Sequence, residues 1–99
     1  MIAAPGHTPG HALFQLTQGS ESMLVIGDAL HISWLEFAHP EWTMAYDAKP
    51  EQAVATRRKL FEKLANDRGE VFGYHMPFPG LGHVRATGGA FEWVPRLWV

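Results

Sequence analysis

The sequence predicts an α+β fold, with a mostly antiparallel or mixed sheet and one long helix. Three observations carry this prediction. Apolar runs on both sides of a polar turn predict a hairpin within 12–26. Apolar residues at helical spacing predict a helix at about 50–66. A Gly-Gly turn between two further apolar runs predicts a second hairpin within 84–94.

The first hairpin consists of strands 12–16 and 23–26 with the turn at 18–22. The second of these strands is a continuous apolar run, which is typical of a strand buried on both faces. It ends at Asp28, in a loop. Segment 32–46 is rich in aromatic residues without a clean period, so we predict irregular structure there with room for one short helix. Its aromatic residues either pack in the core or wall a pocket.

The helix begins at Pro50, which a first turn accepts, and Asp47 is available to cap it. The charged residues around Arg57 are interpreted as its solvated face. Gly69 ends the helical region, and a strand at 70–74 delivers His75. A second proline- and glycine-rich loop, 76–83, then leads into the closing hairpin.

Composition narrows the function classes. The 99 residues form a single domain, 1–99, with eight basic and ten acidic residues and a formal charge of -2. This balance gives no sign of nucleic-acid or membrane binding, and no apolar stretch approaches the ~20 residues of a membrane span. The chain has no cysteine, which suits a cytoplasmic protein and leaves histidine and carboxylates as the metal ligands.

Three candidate ligands lie in loops next to predicted strands: His7, Asp28 and His75. His7 belongs to the rigid loop 4–11, whose two prolines and two glycines make a helix improbable. That loop either aims its histidines at a metal or substrate, or is a tight turn in which they cap backbone groups. Asp28 is either a ligand or the cap of its own turn. A mixed histidine and carboxylate set suits zinc or non-haem iron, but the spacing alone is a weak signal.

The run Ala4-Pro5-Gly6-His7-Thr8-Pro9-Gly10-His11, the later Gly27-Asp28 and the strand-end His75 resemble the C-terminal half of a metallo-β-lactamase-fold hydrolase. The segments 78–85 and 91–95 are similar to the branch that contains methyl parathion hydrolase and lactonase-like enzymes. The resemblance covers essentially all 99 residues. It implies half of an αββα sandwich and a site with two metal ions, usually zinc, that hydrolyses an ester, lactone, amide or phosphotriester.

The resemblance also implies roles for single residues. His7 would bind the first metal, His75 the second, and Asp28 would bridge them. His11 would support the loop, and His31 and His83 would be supporting or pocket residues. The His-x-His-x-Asp-His motif of the family is absent from this sequence. Each ion would therefore keep two protein ligands instead of the usual three, so zinc binding by the isolated chain is expected to be weak or absent.

Three functions remain open from the sequence. The first is a metal-dependent hydrolase of small molecules that is inactive without the N-terminal half of the fold. The second is a non-catalytic module that forms a homo-oligomer or binds a partner through the apolar face that this half would cover. The third is a di-iron redox protein on the same fold, which the absence of a flavin-binding segment disfavours.

Overall fold

A computed structural model of the chain describes residues 1–31, 33–43, 45 and 47–96. Within these residues the chain forms a six-stranded sheet and two helices. The strands are β1 (Ile2–Ala3), β2 (Ala12–Gln18), β3 (Glu21–Val25), β4 (Glu70–Phe72), β5 (Leu81–Thr87) and β6 (Ala90–Pro95). The helices are α1 (Ser33–Glu36) and α2 (Pro50–Asp67).

The six strands lie in the sheet in the order in which they occur along the chain. All neighbouring strands are antiparallel except β3 and β4, which are parallel and pair Leu24 with Val71. A parallel pair needs a long crossover, and α2 lies within it. The α+β prediction, with a mixed sheet and one long helix, is confirmed.

Helix α2 agrees closely with its predicted range of 50–66. Pro50 occupies the first turn, where its missing N–H costs no hydrogen bond. At the other end Arg68 has a φ of 54° and donates its N–H to the Leu64 carbonyl, so the left-handed residue is Arg68 and not Gly69. The predicted Asp47 cap is wrong: the N-cap position is Lys49, and no side chain caps the helix.

The hydrophobic core lies between α2 and one face of the sheet. Its buried residues from the helix and the central strands include Leu24, Leu60, Phe61, Leu64, Val71 and Val84. On the other face, Phe14 and Leu16 of β2 are 51% and 54% exposed. They pair with Val25 and Met23 of β3, so that apolar side chains line this open face.

Two predicted loops are partly ordered elements. Segment 32–46 contains α1, the one short helix expected there, while Ile32, Met44 and Tyr46 lie outside the described residues. The predicted loop 76–83 is shorter than expected because β5 begins at Leu81, which places His83 inside a strand. Among the described residues, no helix has both the length and the apolarity that crossing a bilayer requires.

Candidate metal centre

The loop 4–11 is fixed against the start of α2. Lys49 donates its backbone N–H to the Gly6 carbonyl, and Ala48 donates its own to the His7 carbonyl. Gly6 has a φ of 139°, and a Cβ at this position would lie 2.2 Å from the backbone nitrogen of Ala53. Only glycine fits both the backbone conformation and the close approach to the helix. This contact fixes the backbone immediately before His7.

His7 is held by Asp47, 40 positions away in the chain. The His7 Nδ1 and Asp47 Oδ1 atoms are 2.9 Å apart, and Asp47 is buried. A carboxylate can only accept, so Nδ1 carries the proton and Nε2 of the neutral ring keeps its lone pair. That Nε2 lies 3.6 Å from Asp28 Oδ2. A carboxylate behind a histidine in this way orients metal-binding histidines in many proteins.

Asp28 lies three residues beyond the end of β3, and His11 fixes its backbone. The His11 ring donates from Nδ1 to the Ala4 carbonyl, 2.8 Å away, and accepts the Asp28 N–H at Nε2, 2.9 Å away. Gly27, the residue before Asp28, has a φ of 52°, and a Cβ at this position would lie 2.9 Å from His11 Nε2. The two hydrogen bonds of the His11 ring therefore connect the loop that contains His7 to the loop that contains Asp28. Such contacts are typical of a residue that supports a site.

Two more histidines face the Asp28 carboxylate. His75, in the loop after β4, donates from Nε2 to Asp28 Oδ1 over 2.8 Å. The Nε2 atom of His31 lies 3.7 Å from the same oxygen, which is beyond hydrogen-bonding distance. The His31 ring centroid is 5.0 Å from that of His7 and 4.9 Å from that of His75. Three imidazoles from three separate loops thus surround one carboxylate.

The protonation states suit a cation. The hydrogen bond from His75 is the largest influence on Asp28 and lowers the pKa of its carboxyl, against the opposing effect of burial. Burial is the largest influence on His31 and lowers the pKa of its imidazole, against the opposing charge of Glu36. At neutral pH the site therefore offers an ionised carboxylate and a neutral His31 ring. One ligand atom each from His7, Asp28 and His31 lie within 4.8 Å of one another, a donor set that fits a divalent transition metal.

A buried ion pair between Glu36 and Arg57 supports the backbone of His31. Glu36 accepts the His31 backbone N–H at Oε1 over 2.8 Å, and its Oε2 is 3.0 Å from Arg57 Nη2. Arg57 also donates from Nε to the Ala29 carbonyl and from Nη1 to the carbonyls of Pro40 and Trp42. These bonds connect α2 to the chain on both sides of α1, and so to the loop that carries Asp28 and His31.

The interpretation of Arg57 as part of a solvated face is wrong, since 1% of its surface is exposed. Position 57 falls on the same stripe as the buried Ala53, Leu60, Phe61 and Leu64. The sequence therefore contained the signal for a buried arginine. For Asp47 it contained none, because the hydrogen bond to His7 joins distant parts of the chain.

His83 lies apart from the cluster described above. It is in β5 and pairs with Val94 of β6, half-buried on the same side of the sheet as other open-face residues. Among the described residues, none of the contacts that join His7, Asp28, His31 and His75 includes it.

No protein-family model matches the chain, and no curated protein matches it. Solved structures do match. AidC, a dizinc quorum-quenching lactonase solved in complex with a product, is 34% identical with a TM-score of 0.93, over 97% of this chain and 33% of AidC. AbOPH, a hydrolase in the beta lactamase superfamily, is 37% identical with a TM-score of 0.94, over 99% of this chain and 34% of AbOPH.

A third structure, a probable metal-dependent hydrolase from Staphylococcus aureus, has a TM-score of 0.71 at 18% identity, over 97% of this chain and 34% of its own. At that identity it shows a shared fold alone. The chain spans about a third of the length of each of these three proteins. Over that third, it has the fold of metallo-β-lactamase-superfamily hydrolases.

Proposed function

We propose that this chain is part of a metal-dependent hydrolase, the C-terminal part of the fold, in the branch of lactonase-like enzymes. The observation that carries the proposal is the convergence of His7, Asp28 and His75 on one point from three loops. Structural similarity to a dizinc lactonase and to a second hydrolase, both above 30% identity, supports it. The substrate is a small molecule with an ester, lactone or phosphotriester group.

Bound divalent zinc would supply Lewis-acid chemistry: it polarises a carbonyl or phosphoryl oxygen and makes hydroxide available near neutral pH. The chain's residues would hold it in place. His7 presents its Nε2 lone pair because Asp47 keeps the Nδ1 proton. Asp28 presents two oxygens, one towards His7 and one towards His31 and His75. The His75 side chain is 40% exposed, so the site is open to solvent on this side.

Catalysis would need ligands from outside this chain. If two ions share Asp28, with His7 on one and His75 on the other, each ion has two protein ligands from these residues. Catalytic zinc sites usually have three. We therefore expect both ions to bind weakly and the isolated chain to show no turnover, with the remaining ligands supplied by another segment or chain.

A chimera tests this function. The chain replaces the matching third of AidC, and lactone hydrolysis is compared with that of the isolated chain in the same zinc-containing buffer. The chimera is expected to be active and the isolated chain inactive. Asp28→Asn or His75→Ala should reduce kcat of the chimera by at least about 100-fold, since each removes a group that holds an ion. His83→Ala is the matched control and should leave turnover unchanged.

A folded chimera without lactonase activity would contradict the hydrolase assignment. Robust turnover by the isolated chain would contradict only the need for outside ligands. Unchanged turnover in the His75 variant would remove that residue from the ligand set.

A second function is favoured by the exposed apolar side chains on β2. Phe14 and Leu16 are each about half exposed and continue into the pairs with Val25 and Met23. A contiguous apolar face of this kind promotes association. The alternative is a non-catalytic module that forms a homo-oligomer or binds a partner through this face. It predicts that the isolated chain associates and that the chimera does not hydrolyse the lactone.

A further inference from the structure

We infer that Arg57, together with Glu36, is a positioning residue for the metal centre. The guanidinium holds two segments at a fixed separation: the loop that carries Asp28, and the segment that leads to Asp47, the partner of His7. The inference rests on the proposed function for the existence of the metal centre. It adds to that function two residues that act on the ligands through the backbone.

The first segment is the loop after β3. The Asp28 N–H is bonded to His11, and the next residue, Ala29, accepts the Arg57 Nε–H at its carbonyl over 3.0 Å. Two positions further on, the backbone N–H of His31 is bonded to Glu36 over 2.8 Å. The ion pair therefore fixes this loop immediately after the residue that presents the carboxylate.

The second segment lies after α1. Arg57 donates from Nη1 to the carbonyl of Pro40 over 3.0 Å and to that of Trp42 over 2.8 Å. Trp42 precedes Asp47 by five positions, and Asp47 Oδ1 is 2.9 Å from His7 Nδ1. A displacement of this segment would move Asp47, and with it the ring of His7. One guanidinium is thus bonded to both segments.

Stability alone is a weak reason for this ion pair. The side chains of Arg57 and Glu36 are 1% and 2% exposed, and an apolar pair in place of a buried ion pair is often as stable or more stable. An apolar pair cannot make directional hydrogen bonds. The guanidinium presents its N–H donors in a fixed planar fork, and here all three of its nitrogens have partners. Geometry is what an arginine adds at this position.

The separation of two ligand atoms depends on that geometry. His7 Nε2 and Asp28 Oδ2 are 3.6 Å apart. Ligand atoms at about 2.0–2.1 Å from one tetrahedral zinc ion lie about 3.3–3.4 Å from each other. The observed separation is close to this spacing, so a small shift of either segment would take the two atoms away from it.

The test uses the double variant Arg57→Met with Glu36→Leu, which leaves neither charge of the pair behind. Leu64→Ala is the matched control, because Leu64 is buried in the core on the same helix and its apolar side chain makes no hydrogen bond. The control lowers Tm without removing a bond to either segment. Folding of each variant is checked by circular dichroism, and all measurements are made well below the lowest Tm.

The first measurement is NMR of the metal-free chain. The imidazole resonances of His7 and His31 should move in the double variant and keep their wild-type positions in the Leu64 variant. The second is a titration of the chimera with Co²⁺, followed by visible absorption. The affinity for Co²⁺ should fall by about 10–100-fold in the double variant, as it does when a group that orients a ligand is removed, and stay unchanged in the control.

Arg57→Lys is a second variant, which keeps a cation beside Glu36 and loses the planar fork. It should also move the ring resonances and weaken Co²⁺ binding, and it decides the question if the double variant does not fold.

Unchanged ring resonances and unchanged Co²⁺ affinity in a folded variant of the pair would overturn the inference. An equal loss of affinity in the Leu64 variant would overturn it too, since the effect would then follow stability alone. The NMR measurement needs neither metal nor turnover, so its result is separate from the lactonase activity of the chimera, on which the hydrolase proposal depends.

Discussion

Replacement of Arg57 should destabilise the fold far more than replacement of its neighbour Arg58. Arg57→Ala removes the cation that pairs with the buried Glu36 carboxylate, and breaking a buried ion pair in this way costs about 3–5 kcal/mol. The three carbonyls that Arg57 serves lose their donor as well. Small domains have about 5–15 kcal/mol in total, so this one change removes a large share of the free energy of unfolding.

The measurement is urea and thermal unfolding by circular dichroism. At about 4–8 °C per kcal/mol for a domain of this size, Tm should fall by about 12–40 °C. Arg58→Ala is the matched control: its side chain is half exposed, its ion pair with Glu41 spans 3.5 Å, and the expected loss is at most about 1 kcal/mol.

The double variant Arg57→Met with Glu36→Leu should recover only the part of the loss that comes from the buried charge, because the three carbonyls and the His31 N–H still lose these side-chain hydrogen bonds. If Arg57→Ala unfolds within about 1 kcal/mol of Arg58→Ala, the buried ion pair is not what holds this part of the chain, and the reasoning fails.

Three further predictions follow from the same structure. Gly6→Ala should cost about 2–5 kcal/mol of unfolding free energy, since the new methyl group meets the backbone of α2 at a positive φ. Wild type should lose more stability than His31→Asn as pH falls from about 7.5 to 5. Burial lowers the pKa of His31 in the folded chain, so below about 6.5 the unfolded chain takes up the proton more readily. Phe14→Ser with Leu16→Ser should lower the molar mass measured by light scattering, because the two changes remove apolar surface from the open face.

Each of these predictions has its own control. Gly10→Ala should be nearly neutral, since a Cβ there meets nothing within 4 Å and φ is not positive. Equal pH slopes for wild type and the His31 variant would contradict the assignment of that slope to His31. Phe78→Ser removes an aromatic side chain that is 89% exposed, in the loop between β4 and β5. If it lowers the molar mass as much as the pair on β2 does, the open face is not the contact surface.

Much of the fold was predictable from local patterns. The first hairpin, with strands predicted at 12–16 and 23–26, appears as β2 and β3, and the long helix ends within one residue of its predicted end. These elements are specified by apolar periodicity and turn residues within a short window. The same local patterns predicted that His7, Asp28 and His75 lie in loops.

What local patterns missed depends on contacts between distant residues. Asp47 fits the description of a helix cap, but it bonds to His7, and no rule about neighbouring positions can choose between these partners. His31 follows Asp28 by three positions, yet its distance from the rings of His7 and His75 is set by the packing of three loops. The burial of Arg57, in contrast, was predictable from the sequence, because position 57 lies on the apolar stripe of the helix. The charge of the side chain led to the wrong interpretation.

The span of chain between paired residues in the site has a consequence for how the protein folds. The contact of His7 with Asp47 closes a loop of 40 residues, and that of Asp28 with His75 closes one of 47. Closing such long loops lowers the conformational entropy of the chain before the contacts that compensate for the loss have formed. Asp28 and His75 meet only once β3 and β4 lie side by side. An ion held there would bind only the folded state of the chain. At a free-ion concentration of 100 times its Kd, it would add about 2.7 kcal/mol to the free energy of unfolding.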